Sequence, residues 1–157
     1  MSTFRLVGLA ADNFEPFFAM TDGELAALGA RRVVADESPG FPCRVSLVDA
    51  EVGDDLLLLP FEHLSARSPY RASGPVYVRA RARRAVLEPG EIPPYVTRRL
   101  MSVRAYDAGD MMVEGLVCEG ADVRPHLERL MADAAVAYVH LHNAKRGCFS
   151  CRAERCA

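Results

Sequence analysis

The chain contains no tryptophan, a single lysine (Lys145) and only four histidines among its 157 residues. It also has no apolar run near the roughly 20 residues that a membrane-spanning helix needs. The formal net charge is −2, and a chain of that charge is not drawn as a whole to nucleic acid or to anionic lipid. We therefore expect no membrane partner and no nucleic-acid partner.

The first residues do not read as an export signal. Their apolar stretch ends at Leu9, and the acidic residues Asp12 and Glu15 follow directly. The chain has five cysteines, an odd number, and without an export signal such cysteines are expected to remain reduced thiols. We therefore predict a cytoplasmic protein.

The hydrophobic pattern indicates an α+β fold. A chain of 157 residues is long enough for one domain with its own core, so residues 1–157 are expected to form a single domain. Apolar and polar residues alternate over 76–84, and residues 100–106 and 111–118 resemble a hairpin. Thr21 and Glu24 form a capping box, and a helix with one apolar face follows Asp122. We predict a largely antiparallel sheet with a few short helices packed on it.

The sequence predicts a long loop in the middle of the chain. A buried strand over 55–59 is predicted to end at Pro60, because proline rarely continues a central strand. Residues 62–75 then read as a loop rich in proline, serine and glycine. Loops of that length are uncommon inside compact domains and are often functional. Cys43 and Arg44 enter a strand that is expected to run to about Val48, and they would lie near this loop if the flanking strands pair.

The side chains of this loop favour a small anionic ligand. Arginines would anchor the anion, and hydroxyl groups would add hydrogen bonds; the residues expected to bind it are Arg44, Tyr70, Arg71 and Ser73. His63 is a candidate general base, and Cys43 is a candidate nucleophile if a neighbouring His63 or arginine activates it. In the alternative interpretation Tyr70 and Arg71 only hold the loop in place and Cys43 is buried.

The C-terminal segment 140–157 carries a second candidate site. His140 and His142 are two residues apart on a predicted strand, so both imidazoles point to the same side. A Cys-x-x-Cys formed by Cys148 and Cys151 follows a turn at Gly147, and two imidazoles with two thiolates suit tetrahedral zinc. Zinc is the one cofactor that this pattern indicates. Two alternatives stay open: a thiol–disulfide switch between the cysteines, and purely structural packing of all four residues.

Three stretches of the sequence resemble a known family. They are Gly40-Phe41-Pro42-Cys43-Arg44, Pro69 to Pro75, and His140 to Asn143 together with Gly147 to Arg152. They are similar to a bacterial family of about this length, the domain of unknown function 1203, and the similarity extends over nearly the whole chain. The resemblance implies a small intracellular bacterial protein and assigns no catalytic residue.

Two functional hypotheses follow. The first is a protein that binds a small anionic ligand, with or without catalysis, at a site formed by the 62–75 loop and Cys43-Arg44. The second is a non-catalytic interaction or regulatory domain that carries a structural zinc ion or a redox-active cysteine pair at its C-terminus. Whether the protein is an enzyme is left open by the sequence.

Overall fold

The computed structural model describes residues 3–156 and confirms the α+β class, with two five-stranded sheets in place of the single sheet expected. Sheet A is antiparallel throughout and contains, in spatial order, β1 (Phe4–Val7), β10 (Phe149–Arg155), β9 (Tyr138–Asn143), β7 (Leu100–Tyr106) and β8 (Met112–Glu119). Sheet B contains β2 (Arg31–Val34), β5 (Asp55–Leu64), β6 (Ala72–Arg79), β3 (Pro42–Cys43) and β4 (Val48–Asp49). In sheet B only the β3–β6 pair is parallel.

The helices in the described residues are short. They are α1 (Glu15–Phe18), α2 (Asp22–Ala27), α3 (Pro94–Thr97) and α4 (Val123–Ala132). The predicted capping box is confirmed at the start of α2: the Thr21 hydroxyl accepts from the Glu24 amide, and the Glu24 carboxylate accepts from the Thr21 amide. No helix within residues 3–156 is long and apolar enough to span a membrane.

One face of sheet A forms the larger apolar core. Helix α4 covers this face with four buried side chains at helical spacing, namely Val123, Leu127, Leu130 and Met131. From the sheet, Val139 and Leu141 on β9 and Cys151 on β10 point into the same cluster. Burying each large aliphatic side chain stabilises the fold by roughly 1.5–3 kcal/mol. Because side chains alternate along a strand, Tyr138, His140 and His142 lie on the opposite face of β9.

The prediction of a loop over residues 62–75 is wrong, because half of these residues lie in the two strands of a β-hairpin. β5 continues through Pro60 to Leu64, and β6 begins at Ala72, so that residues 65–71 alone connect them. Pro60 lies directly opposite Pro75 in the hairpin. Antiparallel strands alternate between residue pairs that exchange hydrogen bonds and pairs that do not, and two prolines can face each other at the second kind without interrupting the ladder.

The C-terminal residues and the segment after Cys43 also differ from expectation. The expected tail is a strand, β10, which lies between β1 and β9 in sheet A. The strand expected from Cys43 to about Val48 is instead a turn over residues 44–47, with Leu47 at a φ of 54°. That turn places the Arg44 side chain between the two sheets rather than along the surface of one.

Candidate functional site

Arg44 bridges the two sheets and is almost completely buried, with 1% of its surface exposed. Its Nε donates to the Phe149 carbonyl at 2.8 Å, and its Nη1 donates to the Pro42 carbonyl at 2.6 Å. Its Nη2 donates to the Cys148 sulfur at 3.1 Å. The guanidinium thereby joins β3 in sheet B to the beginning of β10 in sheet A.

A cavity of about 290 Å³ lies beside Arg44, and we call it the basic pocket. Its walls carry five cationic side chains and one carboxylate, that of Glu37. The cations are Arg44, Arg98, Arg99, Lys145 and Arg146. The walls also include the aromatic ring of Tyr77, the amide of Asn143 and the thiol of Cys148. A concave surface with this excess of positive charge favours an anionic ligand.

Asp49 orients two of these cations from behind. Its side chain is 2% exposed and accepts from Arg98 at 3.1 Å. Both terminal nitrogens of Arg99 also donate to the same carboxylate, and Arg99 donates further to the Tyr95 carbonyl at 2.8 Å. One carboxylate balances only one of the two guanidiniums, so this wall of the pocket keeps a net positive charge.

Lys145 and Arg146 stand at the tip of the β9–β10 turn, and both are exposed. The turn closes through a hydrogen bond of 2.7 Å from the Gly147 amide to the Asn143 carbonyl, and Gly147 has a φ of 81°. Glycine adopts this conformation without steric cost. Within residues 3–156 neither cation forms a salt bridge or a side-chain hydrogen bond. Both are therefore available to a ligand.

A second group of chemically active side chains, the histidine cluster, consists of His63 on β5 and of His140 and His142 on β9. The ring centroids of His63 and His142 are 4.9 Å apart, those of His63 and His140 are 6.0 Å apart, and those of His140 and His142 are 6.4 Å apart. Phe149 stacks on the His63 ring with an interplanar angle of 7°. His140 and His142 are 2% and 1% exposed, so a solute cannot reach them directly.

The surroundings of the cluster keep its imidazoles neutral. Burial, and after it the charges of the neighbouring His142, Arg152, His63 and Arg104, lower the pKa of His140 to about 3. Burial likewise lowers the pKa of His142 to about 4. The Nδ1 of His142 lies 3.0 Å from the Gly147 carbonyl, and a carbonyl can only accept, so this nitrogen carries the proton. The Nε2 of His142 is then an unprotonated acceptor, and it is buried without a hydrogen-bond partner among residues 3–156.

The structure does not gather the residues predicted from the 62–75 loop around Arg44. Ser73 pairs with Glu62 across the β5–β6 hairpin, and Arg71 is exposed and bonded to Glu62 at 3.2 Å. Tyr70 packs at the tip of the hairpin, and none of the three lines the basic pocket. Arg44, in contrast, does line it. Ser73 lies four residues along β6 from the strand position that borders the pocket, which corresponds to roughly 13 Å.

The structure does not support Cys43 as a nucleophile or His63 as its base. Cys43 is fully buried among apolar side chains of sheet B, and its sulfur accepts from the Arg79 amide at 3.3 Å. His63 belongs to the histidine cluster, where burial and the charge of Arg104 lower its pKa. The alternative interpretation, in which Cys43 is a buried core residue, agrees with this placement.

The four residues predicted to bind zinc are not brought together. His142 lies opposite Phe149 across β9 and β10, whereas Cys151 lies opposite Leu141 and points into the core on the other face. Burial raises the pKa of Cys151 to about 12, so its thiol is protonated. Cys148 lines the basic pocket instead of facing His140. No group of three or more His, Cys, Asp or Glu side chains in the described part of the chain is arranged for a metal ion.

The thiol–disulfide alternative is also not seen. All five cysteines fall within the described residues, and each is free. Cys151 lies in the core of sheet A and Cys148 in the wall of the basic pocket. A disulfide between them would need one of the two sulfurs to leave its surroundings.

Sequence reasoning missed most of the pocket. Arg98 and Arg99 come from the end of α3, and Lys145 with Arg146 comes from a turn some 46 residues later. Each pair of adjacent cations was visible as a short basic segment, and Lys145 is the only lysine in the chain. Nothing local connects the two pairs; the pairing of β7 with β9, which places Met101 opposite Asn143, brings them together.

Another surface cavity, of about 360 Å³, lies against α2 and offers less chemistry. Its charged lining residues are Asp22, Arg31 and Arg32. Arg32 donates to the Asp22 carboxylate and to the carbonyls of Phe18 and Met20, so its guanidinium is largely engaged within the protein. The basic pocket remains the better candidate because it has unpaired cations and a thiol.

Comparisons with known proteins identify a family whose function is unknown. A family model described as "Protein of unknown function (DUF1203)" matches residues 40–155, which include every residue that lines the basic pocket except Glu37. No curated protein and no solved structure matches the chain significantly.

Proposed function

The chain belongs to the DUF1203 family, and we propose that it binds a small anionic ligand in the basic pocket. The observation that carries the proposal is the charge of the pocket wall, with five cations against the single carboxylate of Glu37. The volume of about 290 Å³ is at the lower end for small-molecule sites, which span roughly 300–1,000 Å³. The ligand class is therefore a compact anion such as a phosphate or a small polycarboxylate.

Some cations of the basic pocket are held by the protein and others are free within residues 3–156, and this difference supports ligand binding rather than structural pairing alone. Arg44 is committed to the protein through three hydrogen bonds, and Arg98 and Arg99 are held by Asp49. A guanidinium fixed in this way loses little side-chain entropy when it binds a ligand. Lys145 and Arg146 can close on the anion, because they have no partner in the described residues.

Free thiols bear on location. The five unpaired cysteines suit a reducing compartment, since cytosolic thiols are kept reduced. This supports a cytoplasmic location as part of the same proposal.

Titration calorimetry with inorganic phosphate, pyrophosphate and citrate would test the binding site. We expect at least one of these anions to bind saturably at low ionic strength. The double variant Lys145→Ala/Arg146→Ala should bind it at least tenfold more weakly, because a hydrogen bond to a charged group contributes about 1.5–3 kcal/mol and each 1.4 kcal/mol corresponds to tenfold. Binding should also weaken as salt is added, since the screening length falls from about 30 Å at 0.01 M to about 8 Å at 0.15 M.

Arg71→Ala is the matched control, because it removes one exposed cation outside the pocket. Its affinity should equal that of the unmodified protein. Loss of binding in Arg71→Ala with retention in the double variant would move the site to the tip of the β5–β6 hairpin, which is one part of the site that the sequence predicted. Absence of saturable binding by all three anions would refute the proposal.

A further inference from the structure

Cys148 is the one cysteine whose sulfur lies in the wall of the basic pocket. Its thiol is partly exposed, and two side chains donate towards it: Arg44 through Nη2 at 3.1 Å and Asn143 through Nδ2 at 3.7 Å. Asn143 also lines the pocket, and in the described part of the chain its buried Oδ1 has no hydrogen-bond partner. The sulfur is thus held in a fixed position at the edge of a cavity with an unused acceptor and two unpaired cations.

From this arrangement we infer that Cys148 reacts as a nucleophile with small anionic electrophiles bound in the basic pocket. The inference rests on the proposed function and adds the substrate class, a molecule with a carboxylate or phosphate close to an electrophilic carbon. The cations hold the anionic group, and the reacting carbon meets the sulfur. Placing the two reactants together in this way converts a bimolecular reaction into an effectively unimolecular one.

The covalent step is a displacement and needs no further reactant. The sulfur of Cys148 forms a bond to the electrophilic carbon while the bond from that carbon to its leaving group breaks. The leaving group departs with the bonding electron pair, and the thiol proton passes to solvent. Arg44 remains hydrogen-bonded at the sulfur and positions it throughout, whereas the charge of the ligand is met by Lys145 and Arg146.

Three of the other four cysteines provide contrasts within the same molecule. Cys43 and Cys151 are fully buried. Cys118 is partly exposed like Cys148, but its surroundings are acidic: burial first, and then the charges of Asp122 and Glu119, raise its pKa. An anionic reagent should therefore be drawn to Cys148 and repelled from Cys118, whereas the charges around the two cysteines should not attract or repel a neutral reagent.

Alkylation by iodoacetate and by iodoacetamide separates these effects, because the reagents share a leaving group and differ mainly in charge. The rate at each cysteine of the full chain would be followed by peptide mass spectrometry at low ionic strength. We expect the ratio of the iodoacetate rate to the iodoacetamide rate to be about tenfold higher at Cys148 than at Cys118, within the range that electrostatic attraction produces. In Lys145→Ala/Arg146→Ala the ratio at Cys148 should fall towards that at Cys118, and in Arg71→Ala it should not change.

Equal ratios at Cys148 and Cys118, or no reaction at Cys148 with either reagent, would overturn the inference. Calorimetry on Cys148→Ser then shows whether the anion site has failed as well. The serine hydroxyl can still accept from Arg44, so the variant should keep this hydrogen bond in the pocket wall. Anion binding by this variant together with equal alkylation ratios would remove the nucleophile and leave the anion site standing. Absence of anion binding in both the variant and the unmodified protein would remove both.

Discussion

Replacing Arg44 by methionine is expected to lower the free energy of unfolding by about 4 kcal/mol, since two or three buried acceptors lose their donor at about 1–3 kcal/mol each. Methionine keeps an unbranched apolar stem of similar length, so the change removes mainly the guanidinium. The carbonyls of Pro42 and Phe149 both belong to buried residues. They cannot turn to water without separating β3 from β10, and the contact between the sheets weakens with them.

Urea unfolding would measure this effect as a lower midpoint at an unchanged dependence on denaturant. The midpoint of Arg44→Lys should fall between those of the unmodified protein and Arg44→Met, because an ammonium cannot reproduce the planar fork that serves three acceptors at once. Arg71→Met is the control: its exposed salt bridge with Glu62 is expected to contribute about 0–1 kcal/mol. A loss of unfolding free energy below about 1 kcal/mol for Arg44→Met would be smaller than the usual cost of leaving a buried acceptor unpaired. Such a result would show that Arg44 does not hold the two sheets together.

The role of Arg44 also marks how far the sequence could lead. Arg44 and Cys148 were each singled out, but for different sites: Arg44 for an anion-binding loop and Cys148 for a metal. Their contact spans 104 residues, and no local pattern records it. What is local was predictable, because helix caps, alternation and hairpin turns depend on residues a few positions apart. The capping box at Thr21 and the hairpin of β7 and β8 are confirmed for that reason.

The errors have a common physical origin in strand pairing. Pro60 was interpreted as the end of a strand from the general behaviour of proline. In the structure it lies opposite Pro75, and the pair needs no backbone N–H donor at this position. The side of the sheet on which Cys151 lies depends on a register shift between Phe149 and Cys151 in β10. That shift sends Cys151 into the core and separates it from His142. Register is fixed by the partner strands, so a single segment could not reveal it.

The histidine cluster leads to the second large prediction, a loss of stability in mild acid. Histidines that are buried in the neutral form become charged only after unfolding. The pKa of a histidine in the unfolded chain is about 6.5. Since the folded pKa values of His140 and His142 are about 3 and about 4, the unfolded chain binds more protons throughout the interval between. Stability therefore falls as the pH drops below about 6.5, by about 2 kcal/mol per histidine between pH 7.5 and pH 5.

The double variant His140→Gln/His142→Asn should remove most of that dependence, about 4 kcal/mol over the same interval for the pair. An asparagine at 142 retains a donor for the Gly147 carbonyl, the partner of the His142 Nδ1. The permanently charged groups that act on His140 are Arg104 on β7 and Arg152 on β10, and a proton on either neighbouring histidine would act in the same direction. Within residues 3–156 no carboxylate is among the groups that shift the pKa of His140, so its protonation is not compensated. Urea midpoints at pH 7.5 and pH 5 would measure the slope, with His126→Asn on α4 as the control. If the double variant lost as much stability on acidification as the unmodified protein, the acid sensitivity would have to arise outside the cluster.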